Sequence, residues 1–257
     1  MISSLAQIDP KARLGTGVTV EPFAVIQGNV VIGDNTWIGS GAMIYDGARI
    51  GSDCRIFNGA SIATIPQDLK FEGEDTVLEI GDRTTVREFA TLNRGTKARG
   101  RTSIGADCLL MGYTHVAHDC TIGDHVILVS YTGVAGEVEI GDWAILGGGT
   151  MVHQFVHIGA HVMIGGGSKV RMDVPPFIKA DRDPMAYMGL NAIGLGRRGF
   201  SNEKIRELHE IYRAFYNMKM NTVKALEYIS ENFKPTAERD YILEFIRHSE
   251  RGVIRGR

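Results

Sequence analysis

Cysteine is scarce in this 257-residue chain: Cys54, Cys108 and Cys120 are the three, and no two form a C-x-x-C pair. An odd number without that spacing excludes a disulfide framework and a structural zinc site, and reads as a reduced compartment. Long apolar runs are missing too. No stretch approaches the 18 or more residues that a spanning helix needs, and Met1 to Pro10 has no basic flank leading into an apolar run. The expectation is therefore a cytoplasmic protein without an integral membrane segment. Excess charge of either sign is also lacking: 28 Lys and Arg stand against 30 Asp and Glu, a formal net charge of -2. Such balance argues against nucleic acid as a partner and against binding to an anionic membrane surface. Glycine, by contrast, is abundant, with 32 residues that do not follow the every-third spacing of collagen. That excess directs attention to internal repeats.

Counting in sixes from Ile8 meets an aliphatic at every step to Ile62. The phase resumes at Ile80, Val86 and Leu92, and again from Ile104 without a miss to Val170. A small or β-branched residue stands two places before many of these aliphatics, among them Ala24, Thr36, Ala42, Cys54, Cys108, Thr114, Cys120 and Ala144. Glycine often follows the aliphatic, as in Ile32-Gly33 and Ile104-Gly105. A period of six matches neither the 3.6 of a helix nor simple alternation, but it suits a short strand followed by a tight corner. Three such units close a triangular coil, with equivalent residues stacked about 4.8 Å apart in parallel ladders. The aliphatic points inward, and the small residue beside it keeps the bore narrow. The cysteines then need be nothing more than core thiols. Glycine, Asn and Asp near the corners, as in Gly33-Asp34-Asn35, are expected to supply backbone angles that β-branched residues resist.

Two stretches break the count, 63–79 and 93–103, and insertions in a solenoid must leave the stack as loops. After Val174-Pro175-Pro176 helix grammar takes over. Ser201 precedes Ile205, Leu208, Ile211, Tyr212 and Phe215; a second pattern starts near Thr222 with Val223, Leu226 and Ile229; a third follows Pro235-Thr236 with Tyr241, Ile242, Phe245 and Ile246. The expected organisation is a β-helix over 1–185 and a C-terminal helical appendage over 186–257, which caps the open end of the solenoid. The basic end from Arg251 to Arg257 suits either an acidic carrier protein or plain solvation.

Period alone does not give handedness. Unbroken [LIV]-G-x-x-x-x hexapeptides resemble those of left-handed β-helix acyl- and acetyltransferases, which implies a mainly β, left-handed parallel β-helix. Read from residues alone, the two histidines of Thr114-His115-Val116-Ala117-His118-Asp119-Cys120 lie outside the bore, where a surface role is the plain reading and a general base is the chemical one. Further runs sharpen the resemblance: Gln67-Asp68-Leu69-Lys70, Val152-His153-Gln154-Phe155, Ile158-Gly159-Ala160-His161-Val162-Met163, Asp173-Val174-Pro175-Pro176 and Arg197-Arg198-Gly199-Phe200. In order and spacing, across essentially the whole chain, they resemble the UDP-N-acetylglucosamine O-acyltransferase family, which catalyses the first step of lipid A synthesis.

That resemblance implies transfer of an (R)-3-hydroxyacyl chain from acyl carrier protein to the 3-hydroxyl of UDP-N-acetylglucosamine, in a homotrimer with active sites between subunits. It makes His118 the general base, Asp119 its partner and Gly136 the oxyanion donor through its N–H. Asp68, Gln154, Asn191 and Arg197 would bind the nucleotide sugar, with Lys70 and His115 nearby. Gly166 falls at the position that limits acyl length, and glycine there leaves room for 14 carbons or more. No metal and no cofactor is implied. This chain departs from the family pattern at Asn93, Glu137 and Pro184, each in place of a histidine, and at Ile193, in place of an acidic residue.

The rival readings are a sister enzyme that acylates an amine, either a 3-amino sugar or glucosamine nitrogen, a metal-dependent hydratase, and a purely structural solenoid. The glucosamine N-acyltransferase carries an N-terminal uridine-binding domain, for which a repeat beginning at Ile8 leaves no room. The hydratase would need three histidines to converge, and the six-residue phase puts His153, His157 and His161 on different aspects of the prism. Acceptor choice between 3-hydroxyl and 3-amino is left open by the sequence.

Overall fold

A computed structural model describes residues 1–218 and 220–256. Its strands, most of them two residues long, assemble into three sheets of nine, eight and ten strands, here sheets 1, 2 and 3. Successive strands visit the sheets in rotation, so that Gln7 pairs with Val25 and Ile8 with Ile26, eighteen residues on, in parallel register. Three sides of six residues make each coil, and the whole is a left-handed parallel β-helix. The inward ladder is as expected: every phase aliphatic from Val20 to Val170 is buried, and only Ile8 and Leu14, in the N-terminal coil, remain partly open. The three cysteines are buried in the small inward position; burial pushes the Cys108 thiol up to about 11 and Cys120 up to about 12.

The corners meet the expectation at Asn and Asp, as in Asn35 (φ 57), Asp53 (φ 57) and Asp107 (φ 56), and depart from it at glycine. Gly33, which follows an aliphatic, does not have a positive φ. It is required because a Cβ there would lie 2.6 Å from the Gly51 carbonyl carbon in the next coil. The left-handed residue sits three places before the aliphatic and is usually not glycine: Asn35 (φ 57), Tyr113 (φ 60), Tyr131 (φ 64) and Trp143 (φ 62) are examples. None of the non-glycine residues there is β-branched, in keeping with their steric limits. One coil later, eighteen residues on or twenty-four where the second loop intervenes, the next such side chain stacks along the corner, as in Phe89–Tyr113–Tyr131 with ring centroids 5.3 and 5.1 Å apart.

Both interruptions leave the stack at one corner. The first runs between strands Ser61–Thr64 of sheet 1 and Val77–Ile80 of sheet 2, the second between Thr91–Asn93 of sheet 1 and Arg101–Ile104 of sheet 2. The phase survives because Ile62 to Ile80 is eighteen residues, twelve more than one side, and Leu92 to Ile104 is twelve, six more. The inserted lengths are whole multiples of the repeat.

Beyond the last full coil, strand Ile178–Asp181 extends sheet 3 and Ala186–Leu190 folds back antiparallel onto it, ending that edge. Among the described residues four helices follow: α1 (Ala192–Arg197), α2 (Asn202–Asn217), α3 (Thr222–Asn232) and α4 (Ala237–Arg247). Ser201, Asn221 and Thr236 cap α2, α3 and α4 through their side-chain oxygens. The helices close on the solenoid through buried Tyr212, whose hydroxyl donates to the Pro176 carbonyl at 2.6 Å, and through Tyr241, whose oxygen accepts the Ala160 N–H. Val223 does not join the apolar face: it lies in the first turn of α3 and is exposed. The C-terminal segment does not trail into solvent. Val253 bridges to Asp173 and Arg255 to Ala186, and Arg257 lies outside the described residues.

Candidate functional site

The corner between sheets 1 and 2 gathers the chemistry. In the coil following the two loops, this corner carries His118 and Asp119, between strands His115–Val116 and Thr121–Ile122. Asp119 is fully buried and adopts the left-handed conformation (φ 59), which turns its carboxylate under the second loop. There it accepts hydrogen bonds from the Thr96 N–H (3.0 Å), the Thr96 hydroxyl (2.6 Å) and the Arg99 N–H (3.2 Å). His118 Nδ1 lies 2.8 Å from Asp119 Oδ2. Because that carboxylate accepts from every other neighbour, Nδ1 is the protonated nitrogen and Nε2 is left bare, the tautomer that a general base needs. Asp68, from the first loop, brings Oδ2 to within 3.9 Å of Nε2.

Periodicity sets the rest of this edge. Gly136 is eighteen residues after His118, and Gln154 eighteen after that, so the three stack along one corner. The imidazole packs directly against Gly136: a Cβ there would lie 2.7 Å from His118 Cε1 and Nε2. Among the described residues the Gly136 N–H donates to no partner, while its carbonyl accepts the Phe155 N–H. Gln154 is exposed above it. His115 is in the same coil as His118; its Nδ1 is 2.7 Å from Thr91 Oγ1, and burial holds its pKa below the usual histidine value. Lys70 is exposed, and its N–H donates to Asp68 Oδ1 at 2.9 Å, bracing the loop.

Other expected residues stand elsewhere. Asn191 and Arg197 begin and end α1 beside sheet 3, where they line a cleft of about 350 Å³ with Ile145, Met163, Lys179 and Ile193. The Asn191 side chain caps α1 by accepting the Gly194 N–H and donates to the His161 carbonyl at 2.9 Å. Arg197 is exposed at the helix C-terminus. Gly166 occupies the third corner, between sheets 3 and 1, stacked on Gly148 in a pair of Gly-Gly-Gly runs that leave the corner bare. A single chain thus brings together His118, Asp119, Asp68, Gly136 and Gln154, but not these with Arg197 or Gly166.

His153, His157 and His161 are likewise dispersed. His161 belongs to a stack at the corner between sheets 2 and 3, with Trp143 and Phe177 on its two faces. Burial and the Arg198 guanidinium 3.4 Å from its Nδ1 press its pKa down to about 4.

Of the departures, Asn93 is buried beneath the first loop and donates to Thr64 Oγ1, while its own Oδ1 has no partner among the described residues. Glu137 lines a cavity of about 470 Å³ with Arg99, Phe155 and His157; Ile193 is exposed in the cleft beside Arg197; Pro184 lines a cavity of about 120 Å³ with Lys169 and Met185. Sequence reasoning missed Thr96 and Arg99. Arg94-Gly95-Thr96 was visible as a loop, but nothing in its composition says that it reaches Asp119.

Residues 29–64 and 101–136 match the model of bacterial transferase hexapeptide repeats, and residues 173–254 match domain 2 of UDP-N-acetylglucosamine O-acyltransferase. The chain is 54% identical to an acyl-[acyl-carrier-protein]–UDP-N-acetylglucosamine O-acyltransferase of Chlorobium phaeobacteroides, over 98% of this chain and 95% of the relative. It is 46% identical to the enzyme of the same name from Paracidovorax citrulli, over 99% of both. Among solved structures, the UDP-N-acetylglucosamine acyltransferase of Bacteroides fragilis superposes with a TM-score of 0.98 at 50% identity, covering 99% of this chain and 100% of that one. With relatives this similar along nearly its whole length, the chain belongs to the UDP-N-acetylglucosamine O-acyltransferase family of hexapeptide-repeat acyltransferases.

Proposed function

We propose that this protein transfers an (R)-3-hydroxyacyl group from acyl carrier protein to the 3-hydroxyl of UDP-N-acetylglucosamine, the first step of lipid A biosynthesis. The observation that carries the chemistry is the His118–Asp119 pair, held at 2.8 Å with Nε2 open and the unpaired Gly136 N–H in the next coil. Nε2 takes the proton of the sugar hydroxyl as its oxygen attacks the thioester carbonyl. The resulting oxyanion is met by the Gly136 N–H, where a side chain would block the approach. The intermediate collapses with loss of the carrier thiolate, which recovers the proton from the imidazolium. Asp119 orients the ring, and Asp68 favours the positive charge it acquires. None of these steps calls for a metal or a cofactor.

The enzyme acts as a homotrimer in this reading, with each site shared between subunits. Support comes from the dispersal of the expected residues over two corners and the sheet 3 side of one chain, and from Leu69, which is fully exposed (105%) in the loop that carries Asp68. In a trimer the base of one subunit faces the Arg197 cleft of a neighbour, and the guanidinium meets the diphosphate. The bare corner at Gly166 then admits a long acyl tail, of 14 carbons or more. Among the described residues no helix is long and apolar enough to cross a membrane, and a cytoplasmic location is part of the proposal. The test is an assay of carrier-linked 3-hydroxyacyl chains of graded length with both UDP-N-acetylglucosamine and its 3-amino analogue. An ester product with 14-carbon or longer donors is expected; reaction with the amine alone, or preference for 10-carbon chains, contradicts it.

A further inference from the structure

Asp119 is the most heavily hydrogen-bonded carboxylate at the site, and the second loop supplies most of the donors. Thr96 contributes two: its N–H bonds to Oδ1 at 3.0 Å, and its hydroxyl to Oδ2 at 2.6 Å. The Thr96 oxygen also accepts the Ala98 N–H at 3.1 Å, which aims its proton at Asp119. Oδ2 is the same oxygen that holds His118 Nδ1. The hydroxyl and the imidazole therefore draw on one acceptor. The loop that places Thr96 is itself anchored at several points. Gly95 N–H donates to the Val77 carbonyl, the Thr76 hydroxyl donates to the Gly95 carbonyl at 2.6 Å, and Arg99 pairs with Glu139 at 2.8 Å.

We propose that Thr96 is a positioning residue for the acyl transfer: its hydroxyl fixes the Asp119 carboxylate and shares the charge of Oδ2, which limits how strongly Asp119 holds the His118 imidazolium. This rests on His118 being the base. Without the hydroxyl, Oδ2 places more of its charge on the imidazole N–H. The protonated ring is then favoured, and a higher pH is needed to free Nε2. The other charged groups around His118 are Asp68 at Nε2, Arg99 in the second loop and Glu137, whose N–H donates to the His118 carbonyl in the coil beneath it. All three are untouched by a change at Thr96.

The experiment compares Thr96→Val, Thr96→Ser, His118→Ala and the unaltered protein, with kcat, KM for UDP-N-acetylglucosamine, pH profiles of kcat/KM and thermal midpoints. For Thr96→Val the acid limb of the profile is expected to move up by about 0.5 to 1 pH unit, roughly half of what a hydrogen bond to a carboxylate contributes. Its kcat falls by up to about tenfold at unchanged KM, the size expected when the carboxylate that orients the base loses one hydrogen bond. Thr96→Ser restores both. A Thr96→Val profile merely scaled down at every pH, or unchanged, overturns the proposal, since a purely structural role moves only the active fraction. His118→Ala separates the two readings: if it stays active, the base assignment fails, and if it is inactive while Thr96→Val keeps the native acid limb, the Thr96 role alone fails.

Discussion

The uninterrupted coils and the corner between sheets 1 and 2 are made of the same repeat, yet they divide the work of the molecule. Along the coils every inward ladder position stacks an aliphatic on an aliphatic one coil away, and Leu110, Leu128 and Leu146 even repeat the same residue in the same slot of the bore. Nothing distinguishes one level from the next, and such a stack can hold a shape without holding a reaction. At the corner, three consecutive coils differ: the first sends out the loop with Asp68, the second the loop with Thr96, and the third presents His118 and Asp119. In the proposed mechanism, chemistry arises where the repeat is broken twice in one place and then resumes. With stability assigned to the ladder and, by the proposal, function to the broken corner, substitutions in the two should separate cleanly.

On the ladder side, Leu110→Ala removes a fully buried side chain from the bore and should destabilise the protein by about 2 to 5 kcal/mol. Denaturant unfolding would measure that loss, while kcat per folded molecule should stay near its original value. A large fall in kcat at full folding would mean that the ladder does more than hold shape. On the corner side, Asp68→Asn keeps the loop's shape and removes the carboxylate 3.9 Å from His118 Nε2. Acyl transfer should fall by about 10- to 100-fold, roughly 1.4 to 2.8 kcal/mol of transition-state stabilisation, with no change in the unfolding midpoint.

A smaller effect tests a corner that has no part in the proposed chemistry. His161 is kept neutral by burial and by Arg198, with its pKa pressed down to about 4 from an ordinary 6.5. The unfolded chain binds its proton more readily, so this stabilisation is complete above about pH 6.5 and is lost as the pH falls toward 4, by an amount that solvent screening of the half-open ring reduces. The unfolding midpoint measured across that window should decline, and His161→Gln should flatten the decline without altering the pH profile of catalysis.

The division also explains what could be read from the chain. The ladder was legible because burial recurs every six residues and only aliphatics tolerate it. Ile8 and Leu14 were placed correctly in phase and remain partly open only because few coils lie beneath them. The corners are legible only in part: Asn35 does supply the left-handed angle, but glycine after the aliphatic does not, since Gly33 answers to the neighbouring coil's backbone, and Tyr113 or Trp143 fill the left-handed position elsewhere. A left-handed residue leaves no periodic mark when many side chain types tolerate the site. Val223 misled because an apolar residue in the first turn of α3 fits the helical period without facing the core. Handedness came only with the resemblance, since a six-residue period serves a coil of either hand. Meeting of the loops was within reach of counting: inserts of twelve and six residues after Ile62 and Leu92 must leave by the same corner that His118 occupies. What counting could not give was Thr96 reaching Asp119, because loop backbones follow no repeat.

The central claim is that the broken corner performs acyl transfer through His118 while the ladder alone holds the fold. Its most direct measurement is His118→Ala, assayed for 3-hydroxyacyl transfer to UDP-N-acetylglucosamine alongside its unfolding midpoint. The account predicts a rate lower by about 10²- to 10⁴-fold with the midpoint unchanged. A variant that keeps its rate, or that loses rate only in proportion to lost folding, would contradict it.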